Sequence, residues 1–459
     1  MDVLPVANPT KSFWLTAEDD FATFRSTPEL PAEADVVIVG SGYAGATTAH
    51  YSSPQFKGSV LMLEARNVCS GATARNGGHL KPDLYYSHND FREKYGEAGA
   101  AEIINFEHAH LQAMKELVEG EQIDCDFVST RACDVHSHGT AAERAVANYT
   151  EMCKNPHVRC KQDVQLTQGD AARVISKVDG SPVCVTYTAG QSWPYKSVTA
   201  VSRKAVAAGL NLQTNTPVVA TERLGDGRYS VRTPRGAVVA GRSVSATNAY
   251  TASVEPRFRN KIVPIKGACS HIVPVSAADR APHLTNTYGI RFAGADTDYL
   301  INRPDGSVVL GGAKKHIFPY KDRFYNVVDD STLIPGSEAY FSGYLEKMFY
   351  TWKGVATHAD HVWSGILGYT DDTSPYVGAS PDEPRKYVIA GFHGHGMPRV
   401  LSCARALAGS LAADAAGVAG DPAPGLADIP AAFRITPDRM TATENRISQS
   451  SQPAPVPKL

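Results

Sequence analysis

Residues 35–50 read DVVIVGSGYAGATTAH, and residues 60–64 read VLMLE. Asp35 is followed by the apolar, β-branched run Val36 to Val39, the composition of a strand covered on both faces. Gly40, Gly42 and Gly45 then punctuate a turn into Ala- and Thr-rich sequence, helical in character and stopped by Pro54. Val60–Leu63 forms a second strand, closed by Glu64. Strand, glycine turn, helix and strand in this order make one β-α-β unit.

In such a unit Gly40 permits the tight turn, Gly42 lets a diphosphate approach the main chain, and Gly45 lets helix and strand pack closely. The amides of the first helical turn, at Tyr43 and Ala44, face the diphosphate, where the helix dipole favours negative charge. Glu64, followed by Ala65 and Arg66, stands where a carboxylate binds ribose hydroxyls and repels the extra phosphate of an NADP-type ligand. The pattern predicts a bound adenine dinucleotide. A chain that used NAD(P) to feed a flavin would need a second such loop; the sequence shows none, and FAD is favoured.

The next segment, CSGATARNGGHLKPD at 69–83, fits the flavin reading. A ribityl chain has to thread past the protein, and main chain with small side chains allows that approach. Thr73, Arg75 and Asn76 would donate to phosphate or ribityl oxygens, while Gly77 and Gly78 would bring amides close to the ring, beside His79. A second signal is GFHGHGM at 391–397, between the strand Tyr387–Ala390 and a helix expected from Pro398 to about Ala413. A helix N-terminus aimed at a flavin stabilises the charge that develops on its pyrimidine side, which makes Gly394, Gly396 and Met397 candidate contacts.

Composition narrows the alternatives. With 43% apolar and 20% charged residues and a formal net charge of -2, the chain is an ordinary globular protein without the basic block that nucleic acid or an anionic membrane requires. Eight cysteines include no Cys-x-x-Cys pair and no accompanying His spacing, so reduced thiols and no metal site are expected. His393 and His395 lack a third donor nearby. The N-terminus has neither the charged nor the apolar region of a secretory signal, and no apolar run is long enough to span a membrane. A cytoplasmic location is expected; Pro457-Lys458-Leu459 faintly resembles a peroxisomal address, with an untargeted tail as the plainer reading.

Along the chain, residues 1–33 read as an arm packed over a domain surface. Residues 97–121 space Ile103, Phe106, His110, Met114 and Leu117 as an amphipathic helix, with solvated or capping roles for His108 and His110. Residues 125–190 are mixed and turn-rich, Tyr195 to Gly209 reads as a helix, and Val218 to Ala246 alternates like short strands. Ile262–Ile265 and Val308–Leu310 are further strands, and beyond about residue 418 a Pro- and Ala-rich tail hugs the surface or is disordered.

Taken together, these residues resemble the D-amino-acid oxidase, glycine oxidase and sarcosine oxidase superfamily of FAD-dependent oxidoreductases, nearest its γ-glutamylputrescine oxidase-like branch. VVIVGSGYAGATTAH with Glu64, SGATARNGGH at 70–79, SVSATNAY at 243–250, IVPIKG at 262–267, and VWSGILGYTDDTSPYVG at 362–378 with GFHGHGM carry the likeness across about residues 33–415. It implies an α/β plus α+β protein: a Rossmann-like FAD-binding domain and a discontinuous substrate domain on a large mixed β-sheet. It implies that Val218 meets the adenine through its backbone, that FAD is held non-covalently, and that hydride passes from an amine-bearing carbon to flavin N5, giving an imine that water hydrolyses.

Three departures stand out. The run Val308-Val-Leu-Gly-Gly-Ala313 has no lysine where sarcosine oxidases place one that promotes reaction with oxygen, and Lys266, Lys314 and Lys315 are off register. Pro398, with Arg399 beside it, replaces the lysine that holds a substrate carboxylate. A cysteine that tethers flavin in some members corresponds to about Gly365.

The expected division is an arm at 1–32, FAD-binding segments at 33–85, 193–252 and 360–417, substrate segments at 86–192 and 253–359, and a tail at 418–459. His79, Tyr299, Trp363, His393 and His395 are the candidates around flavin and substrate. The leading function is oxidation of an amine or amino acid, with O2 or another acceptor. Alternatives are a dehydrogenase or biosynthetic oxidase acting on a larger metabolite, and a non-catalytic flavoprotein scaffold or sensor. Substrate and oligomeric state stay open at this point.

Overall fold

The strand Glu33–Val39 lies inside the first of two sheets, bonded in parallel to Gly236–Ser245 on one side and Val60–Leu63 on the other. A computed structural model describes residues 4–137, 139–276, 282–292, 296–420, 422–441 and 447. The parallel order continues to Lys386–Ala390 at one side and Asn211–Gln213 at the other. Val36, Val37 and Ile38 are fully buried, as a strand covered on both faces must be. The helix Tyr43–Ser52 packs on one face with Pro194–Ala207 and Val400–Ala415, while the antiparallel strands Ala220–Arg223 and Tyr229–Thr233, leading into Gly236–Ser245, help to close the other. Gly40, Glu64, Ala246 and Gly391 each follow the carboxyl end of a parallel strand, where open α/β sheets bind ligands.

The second sheet runs in the order Thr357–Thr370, Ile262–Pro274, Val308–Gly312, Thr297–Asn302, Thr287–Arg291, Val128–His136, Val183–Gln191, His79–Leu80, with Gln165–Gln168 also on Val183–Gln191. It is mixed, because Thr287–Arg291 lies parallel to Val128–His136. Its register sets one row directly across five strands: Trp363, Cys269, Gly311, Tyr299, Gly289, and on to Asp134. Side chains alternate along a strand, so this row shares a face. Tyr299 on it touches the flavin-type loop, its ring standing 2.4 Å from where a Cβ on Gly77 would be. The opposite face buries Leu300, Leu310 and Tyr288 against Phe341, Phe349 and Trp352.

Several sequence expectations change. The amphipathic helix begins earlier, at His88, and runs to Gly120 through a break at Gly96 (φ 71°, ψ 176°). His108 is exposed as expected, but His110 is buried, with Nδ1 3.0 Å from the Ser402 hydroxyl. The turn-rich stretch 125–190 resolves into long strands and the helix Gly139–Lys154. The last helix of the nucleotide domain starts at Val400 rather than Pro398. The arm is no surface strap: Trp14 is fully buried, donates Nε1–H to Asn76 O at 2.6 Å, and lies beside Trp193. Its aromatic side chains wedge between the sheets, which the polar composition around them concealed. Part of the tail docks through buried Phe433 and through Ile435 N on Val377 O at 3.2 Å. Pro457-Lys458-Leu459 lies outside the described residues.

Candidate active site

The glycine turn is built for close approach. Gly40 has φ +104°, and a Cβ there would meet Ala246 O at 2.8 Å. At Gly45 a Cβ would fall 1.9 Å from Gly40 O, so helix and turn touch main chain to main chain. No side chain caps the helix at Gly42, and uncapped first-turn amides favour an anion. The Tyr43 amide, expected to face the diphosphate, instead donates to Thr73 Oγ1 at 2.9 Å, which fixes the second loop against the first. Glu64 accepts from the Ser41 amide and hydroxyl, both at 2.8 Å, and from the Arg66 amide at 2.9 Å.

From this turn one cavity extends to the far loop. Its walls include thirteen of the residues that the sequence singled out: Gly40, Gly42, Tyr43, Ala44, Glu64, Ala65, Arg66, Thr73, Asn76, Val218, Gly394, Gly396 and Met397. Leu4, Pro5 and Asn248–Tyr250 also line it; an arm was expected at the N-terminus, but its contact with this cavity was not. An elongated cradle with an uncapped helix end, a carboxylate at the ribose position and small residues at the other end fits FAD.

The remaining candidates stand behind the wall. Gly45 packs within the turn. Arg75 points away: it donates to Ser70 O at 3.0 Å and Ser364 O at 2.9 Å and pairs with buried Asp330 at 3.4 Å. Burial lowers its pKa to about 10 despite Asp330. Trp363 is fully buried and donates to Arg75 O at 3.0 Å, so it holds the loop in place. Gly77 makes room for the Tyr299 ring, and Gly78 (φ +73°) for Ile301, Ser192 and Trp14.

The histidines divide by partner. His79 Nε2 lies 2.8 Å from Leu300 O and 2.7 Å from the Thr287 hydroxyl. Because a carbonyl only accepts, Nε2 carries the proton and Nδ1 is left as a base. Burial lowers the His79 pKa to about 4. His393, at φ 52°, accepts from the Thr370 amide through Nδ1 at 3.2 Å, and its ring lies 4.3 Å from that of Tyr369. Its neutral tautomer therefore bears hydrogen on Nε2, and burial lowers its pKa to about 3.

His395 donates to Glu107 at 2.8 Å, and Arg399 donates to the other oxygen at 2.6 Å. Glu107 is fully buried and also accepts from the Asp83 amide at 2.7 Å. Burial alone would raise its pKa, but Arg399 and His395 outweigh that and bring it to about 2. The sequence held a signal for Glu107: it falls on the apolar stripe between Ile103 and His110.

Lys266 is ruled out of this face, since it alternates with Cys269's row and its ammonium bonds the Thr332 hydroxyl at 2.8 Å. No metal ligands stand out in the sequence; the structure brings ligand atoms of His271, Asp360 and His361 within 4.8 Å of one another at a β-bulge. Phe13 of the arm stacks on His271 at 3.7 Å.

The family of FAD dependent oxidoreductases known as DAO matches residues 35–409. The chain belongs to this family and is an FAD-dependent oxidoreductase. Among its relatives, the probable oxidoreductase OrdL of Rhizobium meliloti (strain 1021) is 24% identical over 84% of this chain and 85% of its own. The gamma-glutamylputrescine oxidoreductase of Escherichia coli (strain K12) is 23% identical over 88% of this chain and 90% of its own, in keeping with the branch that the motifs pointed to. Glycine oxidase from Geobacillus kaustophilus superposes with a TM-score of 0.70 at 19% identity, over 89% of this chain and 99% of that one. No helix among the described residues is long and apolar enough to cross a membrane.

Proposed function

We propose that this enzyme oxidises a C–N bond of an amine or amino acid and passes the electrons to O2, giving an imine and hydrogen peroxide. The observation that carries the reading is the meeting of the cofactor cradle with the Tyr299 face of the second sheet, at the loop Gly77–His79. When bound, FAD supplies the hydride acceptor. The chain's own residues supply orientation and proton handling.

An amine has to be neutral to release hydride. His79, neutral at physiological pH, offers Nδ1 as a hydrogen-bond acceptor to the amine, and His393 offers Nε2–H as a donor. Tyr299, whose phenol burial holds well above its usual pKa, stays protonated. Thr73 and Asn76 would hold diphosphate and ribityl oxygens, and Glu64 the ribose, while the Arg66 guanidinium is engaged by Asp330. Arg75 and Trp363 act from behind by fixing the loop. Names of relatives lend support: one acts on gamma-glutamylputrescine, another on glycine.

The test is a spectrum of the purified protein followed by an anaerobic panel of primary and secondary amines, D-amino acids and N-methyl amino acids. Bleaching, then fast recovery with peroxide in air, is the expected result. Bleaching with slow recovery would instead indicate a dehydrogenase, and a flavin that no amine reduces would defeat the proposal.

A further inference from the structure

At the outer end of the paired strands Ile262–Pro274 and Thr357–Thr370 the register slips by one residue. His271 faces His361, the next pair is Ile272 with Ala359, and Asp360 is the extra residue between them. Strand alternation would send Asp360 and His361 to opposite faces, but a bulge re-aims side chains. Both meet His271 here. Asp360 Oδ1 lies 2.7 Å from His271 Nδ1 and 3.1 Å from His361 Nδ1. The two histidines stand two residues beyond Cys269 and Trp363, on the face of the sheet that carries Tyr299. None of the three residues lines the flavin cradle.

The arrangement is more than an imidazole–carboxylate pair. His271 would need only Asp360, yet a second imidazole is brought to the same oxygen. Buried His361 Nδ1 makes no well-directed hydrogen bond there, despite the short distance. A cation among the three donor atoms, which all fall within 4.8 Å of one another, would engage every one of them. The site is held from one side and reachable from the other. His271 is buried under Phe13, whose ring is stacked at 3.7 Å and 6°. Asp360 and His361 keep 33% and 30% of their side chains exposed. His361 also lines a cavity of about 490 Å³ beneath the arm, so water can reach the remaining coordination positions. Arg303, the cation close to His271, is already committed to Asp126 and Asp305. Two imidazoles and one carboxylate suit borderline divalent transition ions; Mg2+ and Ca2+ call for oxygen ligands.

We propose that His271, Asp360 and His361 bind a divalent transition ion of the Zn2+ class, held by three protein ligands and completed by water from the cavity. The ion clasps the two strands at their bulge, beside the Phe13 ring. This site is independent of the amine-oxidation reading.

The test is equilibrium dialysis of the FAD-loaded enzyme against Zn2+, with metal analysis. One ion per chain should be retained, and excess Mg2+ should not displace it. X-ray absorption of the zinc-loaded protein should show imidazole nitrogens and a carboxylate oxygen at about 2.0–2.2 Å. Asp360→Asn and His361→Gln alter half-buried side chains outside the core, and each should weaken binding at least about tenfold, since even an outer partner of a metal ligand is worth that much. His358→Gln, at an exposed histidine on the same strand, should change it less than about twofold. The proposal is overturned if no Zn2+ is retained, if Mg2+ displaces it, if the absorption spectrum lacks imidazole, or if all three variants bind Zn2+ like the parent. Should either ligand variant fail to fold, the other decides together with the absorption spectrum.

Discussion

The two ends of the cavity are made in opposite ways. At the nucleotide end, one continuous segment supplies turn, helix and carboxylate, and main-chain contacts do the shaping: Gly45 against Gly40, Gly40 against Ala246. At the flavin and substrate end, side chains from distant segments converge, with His79 on Leu300, Trp363 on Arg75, and Glu107 on His395 and Arg399. At Gly40 and Gly45 an added Cβ would strike main chain. The other end depends on polar partners, and its failures should be graded and pH-dependent.

Substitutions can break that contrast. The largest effect is expected from Gly42→Val, whose side chain would occupy the diphosphate's space. The purified variant should be colourless and take up no FAD in a flavin titration; a yellow variant would refute the phosphate assignment. Trp14→Ala removes a fully buried indole between the sheets and should cost about 3–5 kcal/mol in denaturant unfolding. A loss under about 1 kcal/mol would make the arm a surface feature after all.

Glu107→Gln probes the polar end. Its folded pKa of about 2 lies below the ordinary value of 4.5, so its carboxylate contributes stability above pH 4.5 that is lost as pH falls toward 2. The contribution is about 3 kcal/mol at neutral pH. The variant should be less stable at pH 7 and lose less on acidification, as thermal melts across that window will show. Parallel melting curves for the two proteins would contradict the assignment. Thr287→Val, the mildest change, removes one of two partners from His79 Nε2 and should cost about 1 kcal/mol. Leu300 O keeps the tautomer, so the pH profile of flavin reduction should hardly move.

These regions also differ in how far the sequence revealed them. Gly40, Gly42, Gly45 and Glu64 were legible because their roles are local: a turn, an approach and a strand end lie within one unit. Val218 came from resemblance, Gly394 and Met397 from the loop between a strand and a helix N-terminus, and the structure brings all three to the same cavity. Arg75 was misplaced because a polar residue in a glycine-rich loop looks like a ligand donor; buried Asp330, far along the chain, claimed it. The arm was misjudged because a segment without periodicity gives no sign of which sheet it will enter.

By itself the sequence determined a parallel dinucleotide-binding sheet, its glycine turn and the family, since hydrophobic runs and glycines act over a few residues. Only the tertiary structure decided which partners hold each buried histidine and arginine, and that Glu107 accepts from both His395 and Arg399. Those outcomes depend on strand register and on partners hundreds of residues apart, where pairing energies are settled by packing and not by neighbours in the chain.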